Sequence, residues 1–213
     1  MRRALLLDLD GTLCDSLEGL RGAYRAFLSR FGVAGNEAEF AGLNGPPLRV
    51  IVERLIETHS IEGEAEALHA DYLALVAQAH MDAPPAEGAS QALVEARAKG
   101  WSTAVVTSAS RADAEAWLDR TGLRTLVDTV VGGDCVARGK PGPDPYLEAA
   151  RRLGCAPEDC VAVEDSAQGA AAALAAGTPT LLLGDHAAPA VLTHRLLLGR
   201  IARLADIAAY LGD

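Results

Sequence analysis

The chain has 213 residues, of which 50% are hydrophobic, and a formal net charge of −10 at pH 7. A chain of this length can bury a sizeable core, while the negative charge argues against nucleic acid and anionic membranes as main partners. No stretch approaches the roughly 20 apolar residues of a membrane span. Because we also find no secretory signal, we expect a cytoplasmic protein with reduced cysteines. The histidines show no metal-ligand spacing, which predicts surface or structural roles.

The first part of the sequence predicts one strand followed by helices. A buried strand at residues 4–7 runs directly into the segment DLDGT at 8–12. Ser16 is typical of a helix N-cap. Apolar residues then recur at helical spacing up to about residue 82, and a linker rich in proline at 83–85 ends this region.

Beyond residue 88, helical patterns alternate with short apolar strands. The predicted strands cover residues 102–107, 127–132, 160–165 and 178–183. This alternation predicts βαβ units, a parallel sheet and therefore an α/β fold with a Rossmann-like core.

The helical region interrupts this core in sequence, because one strand precedes it and the others follow it. We expect residues 1–15 and 86–213 to form the core domain and residues 16–85 to form a helical domain. Hinges are expected near 14–17 and 82–88, so that the helical domain can move against the core.

Polar side chains follow the predicted strands at the points where the strands end. In open parallel sheets ligands bind beyond the carboxyl ends of the strands. Crowded carboxylates repel each other and need a cation, and their hard oxygen atoms favour Mg²⁺. The candidate residues are Asp8, Asp10, Thr107, Ser108, Lys140, Glu164 and Asp165.

This ordered set resembles the four motifs of the haloacid dehalogenase superfamily. The motifs are DLDGT, Thr107, Lys140 within GKPGPD, and VEDS at 163–166. The helical region resembles that superfamily's first cap type, the C1 cap. The patterns around Lys140 and VEDS resemble the branch that contains phosphoglycolate phosphatases, small sugar phosphatases and β-phosphoglucomutase.

The resemblance implies a Mg²⁺-dependent phosphatase that acts on a small phosphorylated metabolite. Asp8 would be the nucleophile and form an aspartyl-phosphate, and Asp10 would be the general acid and base. Mg²⁺ would be held by Asp8, the backbone carbonyl of Asp10 and Asp165, with Glu164 acting through water.

The resemblance also implies how the phosphate is bound. Thr107 and Ser108 would donate hydrogen bonds to the phosphoryl oxygens, and Lys140 would offset their charge. Gly11 would let the backbone turn so that nearby N–H groups face the phosphate.

Other reactions of the superfamily fit this sequence less well than a phosphatase. Dehalogenases lack the second aspartate, Asp10 here, and phosphonoacetaldehyde hydrolases use a cap lysine, which residues 16–85 do not contain. β-Phosphoglucomutase relatives carry a histidine where this chain has Leu20. A phosphomutase and a catalytically silent binding protein are therefore the two alternatives to a phosphatase.

The loop GLNGPPLR at 42–49 lies where the family places its substrate-specificity loop. Asn44 could reach the leaving group, and Arg49 could pair with a substrate carboxylate. The alternative is that Arg49 is a solvated helix residue.

We expect the protein to bind a small phosphate ester and to be a monomer or a dimer.

Overall fold

The computed structural model describes residues 3–43, 46–184 and 189–212. Its six β-strands form one parallel sheet in the order β3-β2-β1-β4-β5-β6. The strands are β1 (Ala4–Leu7), β2 (Ser102–Val106), β3 (Thr129–Val131), β4 (Cys160–Glu164), β5 (Thr180–Leu183) and β6 (Leu197–Ile201).

Helices cover both faces of this sheet and fill the region between β1 and β2. The α-helices are α1 (Leu17–Ser29), α2 (Glu37–Ala41), α3 (Leu48–His59), α4 (Ala65–Asp82), α5 (Ala89–Ala98), α6 (Arg111–Thr121), α7 (Asp144–Leu153), α8 (Ala167–Ala175) and α9 (Pro189–Leu192). Short 3₁₀ helices cover Arg124–Leu126, Gly133–Cys135, Pro157–Asp159 and Leu204–Ala209. Within the described ranges, no helix combines the length and the apolar character that crossing a membrane requires.

The predicted α/β fold with a parallel sheet is confirmed. Side chains of β1 alternate between the two faces, as the pleat of a strand requires. Leu5 and Leu7 pack in the cluster that includes α5 and α6, whereas Ala4 and Leu6 pack in the cluster that includes α7 and α8. Both faces are thus buried, which explains why the strands read as continuous apolar runs.

The helices α1 to α4 share an apolar cluster of their own. Its fully buried aromatic and aliphatic side chains include Tyr24, Phe27 and Leu55. A separate core is what a separate domain requires. The assignment of residues 16–85 to a separate helical domain stays a prediction.

The two segments that join these helices to the sheet lie side by side. The Asp15 N–H donates to the Pro84 carbonyl at 3.0 Å, and the Ala86 N–H donates to the Leu13 carbonyl at 2.8 Å. The expected hinges at 14–17 and 82–88 therefore coincide with two chain segments that are hydrogen-bonded to each other.

Candidate active site

The parallel register brings the predicted carboxylates to one edge of the sheet. Leu7 of β1 is level with Val105 of β2 and Val163 of β4. The next residue, Asp8, therefore lies beside Glu164, and its N–H donates to the Val163 carbonyl at 3.0 Å. This is the carboxyl end of the strands, where ligands bind in open α/β sheets.

Lys140 lies between two of these carboxylates. Its Nζ donates to Asp8 Oδ1 at 2.5 Å, to Glu164 Oε1 at 2.5 Å and to the Val106 carbonyl at 2.9 Å. Three acceptors satisfy the three protons of an ammonium group. Burial acts to lower the pKa of Lys140, but the charges of Asp8 and Glu164 outweigh burial and raise that pKa. Lys140 is thus a buried, permanent cation beside Asp8.

Glu164 is fully buried and held by its neighbours. The Tyr146 hydroxyl donates to its Oε1 at 2.5 Å, and the Ser166 hydroxyl donates to its Oε2 at 3.2 Å. Helix α8 leaves room for this carboxylate because residue 169 is glycine: a Cβ there would lie 2.0 Å from the Glu164 carboxylate atoms. The position of Glu164 therefore depends on three other residues.

Asp8, Glu164 and Asp165 form a buried group in which one carboxylate oxygen from each residue lies within 4.8 Å of the other two. Burial raises the pKa of Asp8 well above its usual value, and the charges of Glu164 and Asp165 raise it further, although Lys140 acts against them. These three carboxylates outnumber the single ammonium group of Lys140, so a divalent cation would balance the charge. Hard oxygen donors of this kind fit Mg²⁺.

Gly11 lets the first loop approach this carboxylate group closely. Its φ of +78° lies in the left-handed region, and a Cβ at this position would lie 2.2 Å from Asp165 Oδ2. The Gly11 N–H donates to the Cys14 carbonyl at 2.9 Å. In this state its N–H is therefore used by the loop itself, and the glycine provides space for Asp165.

Asp10 is contacted by two side chains from the helical region. The Ser16 hydroxyl donates to Asp10 Oδ1 at 2.5 Å, and His80 Nε2 forms an ion pair with the same oxygen. Ser16 occupies the N-cap position of α1, but its hydroxyl makes no capping hydrogen bond. Burial acts to lower the pKa of His80, but the hydrogen bond to Asp10 and the charges of Asp10 and Asp113 together outweigh burial and raise that pKa.

Thr107 and Ser108 follow β2 and line the same crevice as Asp8 and Lys140. Thr107 is buried, and its Oγ1 accepts a hydrogen bond from the Ala109 N–H at 3.0 Å. Helix α6 is capped by Ser110, whose side chain accepts from the Asp113 N–H. Neither Thr107 nor Ser108 is needed as the cap of α6.

The crevice has a volume of about 210 Å³ and lies between the sheet edge and the helices α1 to α4. Its sheet side carries Asp8, Asp10, Thr107, Ser108 and Lys140. The candidate nucleophile Asp8, the cation Lys140 and the hydroxyl groups of Thr107 and Ser108 therefore line one crevice.

Arg49, one of the two residues predicted for substrate specificity, does not line the crevice. Arg49 is exposed and forms two hydrogen bonds with Glu66, at 3.0 and 3.1 Å. This placement matches the alternative of a solvated helix residue. Asn44 lies outside the described residues.

Comparison with known proteins gives the family. A family model described as haloacid dehalogenase-like hydrolase matches residues 5–183. The chain belongs to this family. This result confirms the resemblance that the strand-end motifs indicated.

Named relatives of this hydrolase include sugar-phosphate and phosphoglycolate phosphatases. The fructose-1-phosphate phosphatase YqaB of Escherichia coli (strain K12) is 34% identical over 177 residues, which cover 81% of this chain and 92% of that protein. The plasmid-encoded phosphoglycolate phosphatase of Cupriavidus necator is 34% identical over 189 residues, covering 84% and 80%. The crystal structure of a HAD family hydrolase from Deinococcus radiodurans R1, with bound phosphate and sodium, has a TM-score of 0.76 and 29% identity, covering 99% and 95%.

Four residues that contact the candidate carboxylates are absent from the predicted site, namely Ser16, His80, Tyr146 and Ser166, although Ser166 lies within the VEDS motif. Ser16 was interpreted only as a helix cap, and His80 only as a surface or structural histidine. Tyr146 lies six positions after Lys140 and two after the end of the motif GKPGPD, so this closeness in sequence is a signal that could have identified it. The sequence has no comparable signal for His80, because only the packing of α4 brings it to Asp10.

Proposed function

We propose that this hydrolase is a Mg²⁺-dependent phosphatase that cleaves a small phosphate monoester through an aspartyl-phosphate on Asp8. The observation that carries the proposal is the buried contact between Lys140 and Asp8, in a crevice that Thr107 and Ser108 also line. The named phosphatase relatives support the class of enzyme, a phosphoric monoester hydrolase.

Asp8 would attack the phosphorus atom while the bond to the leaving oxygen breaks. The ammonium of Lys140 would offset the repulsion between the carboxylate and the phosphate, and the Thr107 hydroxyl, with Ser108, would hold the phosphoryl oxygens. When bound, Mg²⁺ would neutralise part of the charge on the transferring group. Asp8 and Asp165 would hold this ion, together with the backbone carbonyl of Asp10.

Glu164 would support the ion through water and keep Lys140 in place. Its Oε1 already accepts from Lys140 and Tyr146, which favours this indirect role over direct ligation.

Asp10 would donate a proton to the leaving alkoxide and then remove one from the water that cleaves the aspartyl-phosphate. Ser16 and His80 would keep its carboxylate oriented toward the crevice, since both contact Oδ1. Because both residues belong to the segment 16–85, movement of this segment as a cap would also adjust Asp10.

A phosphomutase is the second candidate, and one observation favours it. A histidine reaches Asp10 from α4, although position 20 of α1 is leucine. Incubation with β-glucose 1-phosphate and a bisphosphate primer separates the two activities. A phosphatase releases inorganic phosphate, whereas a mutase returns a glucose 6-phosphate product without net release.

An assay with p-nitrophenyl phosphate tests the proposal. We expect turnover with Mg²⁺, loss of turnover with EDTA, and inhibition by Ca²⁺, because the looser coordination of Ca²⁺ misplaces the nucleophile. Full turnover in buffer free of metal ions would contradict the metal dependence, and no turnover in any condition would favour the silent binding protein. The cytoplasmic location and the oligomeric state, a monomer or a dimer, remain predictions.

A further inference from the structure

The wall of the crevice that faces the candidate carboxylates is apolar. Helices α1 to α4 and the segment around them contribute Leu17, Leu20, Phe40, Ile51, Leu73 and Val76 to it. The phosphate would bind at the sheet edge, so this wall is where the rest of the substrate must lie. We propose, on the basis of the proposed phosphatase function, that the substrate is a phosphate monoester of an apolar alcohol, either alkyl or aryl.

The first support is that few polar groups lie near this wall and that some of them already have hydrogen-bond partners. Among the described residues that line the crevice from the helical side, Tyr72 and His80 are the polar ones. His80 Nε2 is engaged with Asp10. On the opposite side, the Ser110 hydroxyl donates to Asp113 at 2.6 Å. A polyhydroxylated leaving group would therefore find few free partners in the described part of the crevice.

Unpaired hydroxyl groups are costly to bury. Each buried hydroxyl without a partner lowers affinity by about 10-fold, whereas each apolar carbon that leaves water raises it. A sugar has several hydroxyl groups, so its affinity for this wall would fall by about 10-fold for each one left unpaired. A hydrocarbon group has no such cost, and its affinity would rise with each carbon that it buries.

The second support is the charge distribution of the helical region. A carboxylate-bearing leaving group needs a cation, and none of the described arginines of residues 16–85 lines the crevice. Arg25 pairs with Glu37 and Arg49 pairs with Glu66, and in both pairs the two side chains are largely exposed. The guanidinium groups of these two arginines are therefore paired at the surface.

The third support is Leu73 of α4. It is 43% exposed, and within the described part of residues 16–85 it is the only large hydrophobic side chain that is exposed. It also lines the crevice. A bound hydrocarbon group would cover this side chain and remove the cost of its exposure to water.

The size of the crevice limits the leaving group. A dry apolar cavity of about 150 Å³ accepts benzene. The present crevice has about 210 Å³ and must also hold the phosphoryl group. It suits one ring or a short chain.

The test compares four esters of primary alcohols, so that the leaving oxygen is of the same type. They are benzyl phosphate, butyl phosphate, fructose 1-phosphate and 2-phosphoglycolate. With Mg²⁺, we expect kcat/KM for benzyl and butyl phosphate to exceed the values for the other two by about 10-fold or more. A preference for fructose 1-phosphate or 2-phosphoglycolate overturns the inference while leaving the proposed phosphatase intact. Hydrolysis of p-nitrophenyl phosphate but of none of the four esters overturns the inference alone, and hydrolysis of none of these five compounds overturns both.

A pair of variants localises the effect. Leu73→Asn should lower kcat/KM for benzyl phosphate by about 5-fold, because a buried contact becomes polar, and should change the value for fructose 1-phosphate by less than about 2-fold. Leu147→Asn is the control, because Leu147 is 42% exposed on α7 and does not line the crevice. It should change neither value. Equal losses for both esters in Leu73→Asn, or equal losses for benzyl phosphate in both variants, overturn the inference.

Discussion

At the residue scale, the ammonium group of Lys140 joins two carboxylates that follow different strands. Lys140→Ala would leave Asp8 and Glu164 buried side by side without their shared cation. We expect kcat/KM for p-nitrophenyl phosphate to fall by about 100-fold or more, because a preorganised charge is lost. The free energy of unfolding should fall by about 3–5 kcal/mol, because buried charges lose their partner.

The chain offers one matched control for this experiment, since Lys99 is the only other lysine. Its Nζ donates to the Leu211 and Ala208 carbonyls at 2.5 and 3.3 Å, and Lys99 does not line the crevice. Lys99→Ala should therefore loosen the end of the chain and leave kcat/KM nearly unchanged. Similar kinetic losses in the two variants would mean that Lys140 has no special role.

His80 has a different expected signature, because it acts through Asp10. His80→Ala should lower kcat for alkyl phosphates by about 10-fold, since these leaving groups need a proton. It should lower kcat for p-nitrophenyl phosphate much less, and Asp10→Asn should share this pattern. His80→Gln, which can still donate a hydrogen bond, should recover part of the loss. Equal losses for both leaving groups would assign His80 to folding alone.

These residues differ in how well their sequence context predicts them. Asp8, Glu164 and Lys140 could be predicted as neighbours, because each follows an apolar strand or lies in a loop at the same end of a parallel sheet. His80 could not, because its contact with Asp10 depends on how α4 packs against the loop after β1. The local sequence shows where strands end, but it does not show how a distant helix packs.

At the element scale, helix α8 must leave space for the carboxylate at the end of β4. Gly169→Ala would place a methyl group 2.0 Å from Glu164 atoms, so either the helix or the carboxylate must move. We expect a loss of about 1–3 kcal/mol in the free energy of unfolding, together with about 10-fold lower kcat/KM.

Gly22 of α1 provides the control, because it is also a glycine inside a helix and a Cβ there would meet nothing within 4 Å. Gly22→Ala should raise the free energy of unfolding by about 0.5–1 kcal/mol, as expected for a helix interior. Thermal unfolding measures both variants. A stabilising Gly169→Ala would contradict the account of α8.

Element prediction failed at the last strand. The strands β1 to β5 were predicted because their residues are apolar and buried on both faces. β6 (Leu197–Ile201) lies at the sheet edge, and exposed residues alternate with half-buried ones along it. It contains Gly199 and Arg200, so its composition is not typical of a strand. Pairing with β5, rather than local sequence, determines that it is a strand.

At the scale of the whole molecule, the sheet edge supplies the reacting groups and the helical region supplies the wall opposite them. The two connecting segments are hydrogen-bonded to each other, and the Trp117 indole N–H donates to the Ala83 carbonyl at 2.9 Å. Any movement of residues 16–85 must therefore pivot at segments that α6 supports. If residues 16–85 act as the proposed cap, closure over the substrate would exclude water from the crevice.

The proposed mechanism requires that Asp8 becomes phosphorylated during turnover. Acid quenching of the enzyme during hydrolysis of p-nitrophenyl phosphate with Mg²⁺, followed by mass spectrometry of the peptide that contains Asp8, measures this directly. We expect one phosphoryl group on Asp8 that hydroxylamine removes, and neither phosphorylation nor turnover in Asp8→Asn. Continued turnover with Asp8 unmodified in the quenched enzyme, or a phosphoryl group on another residue, would contradict it.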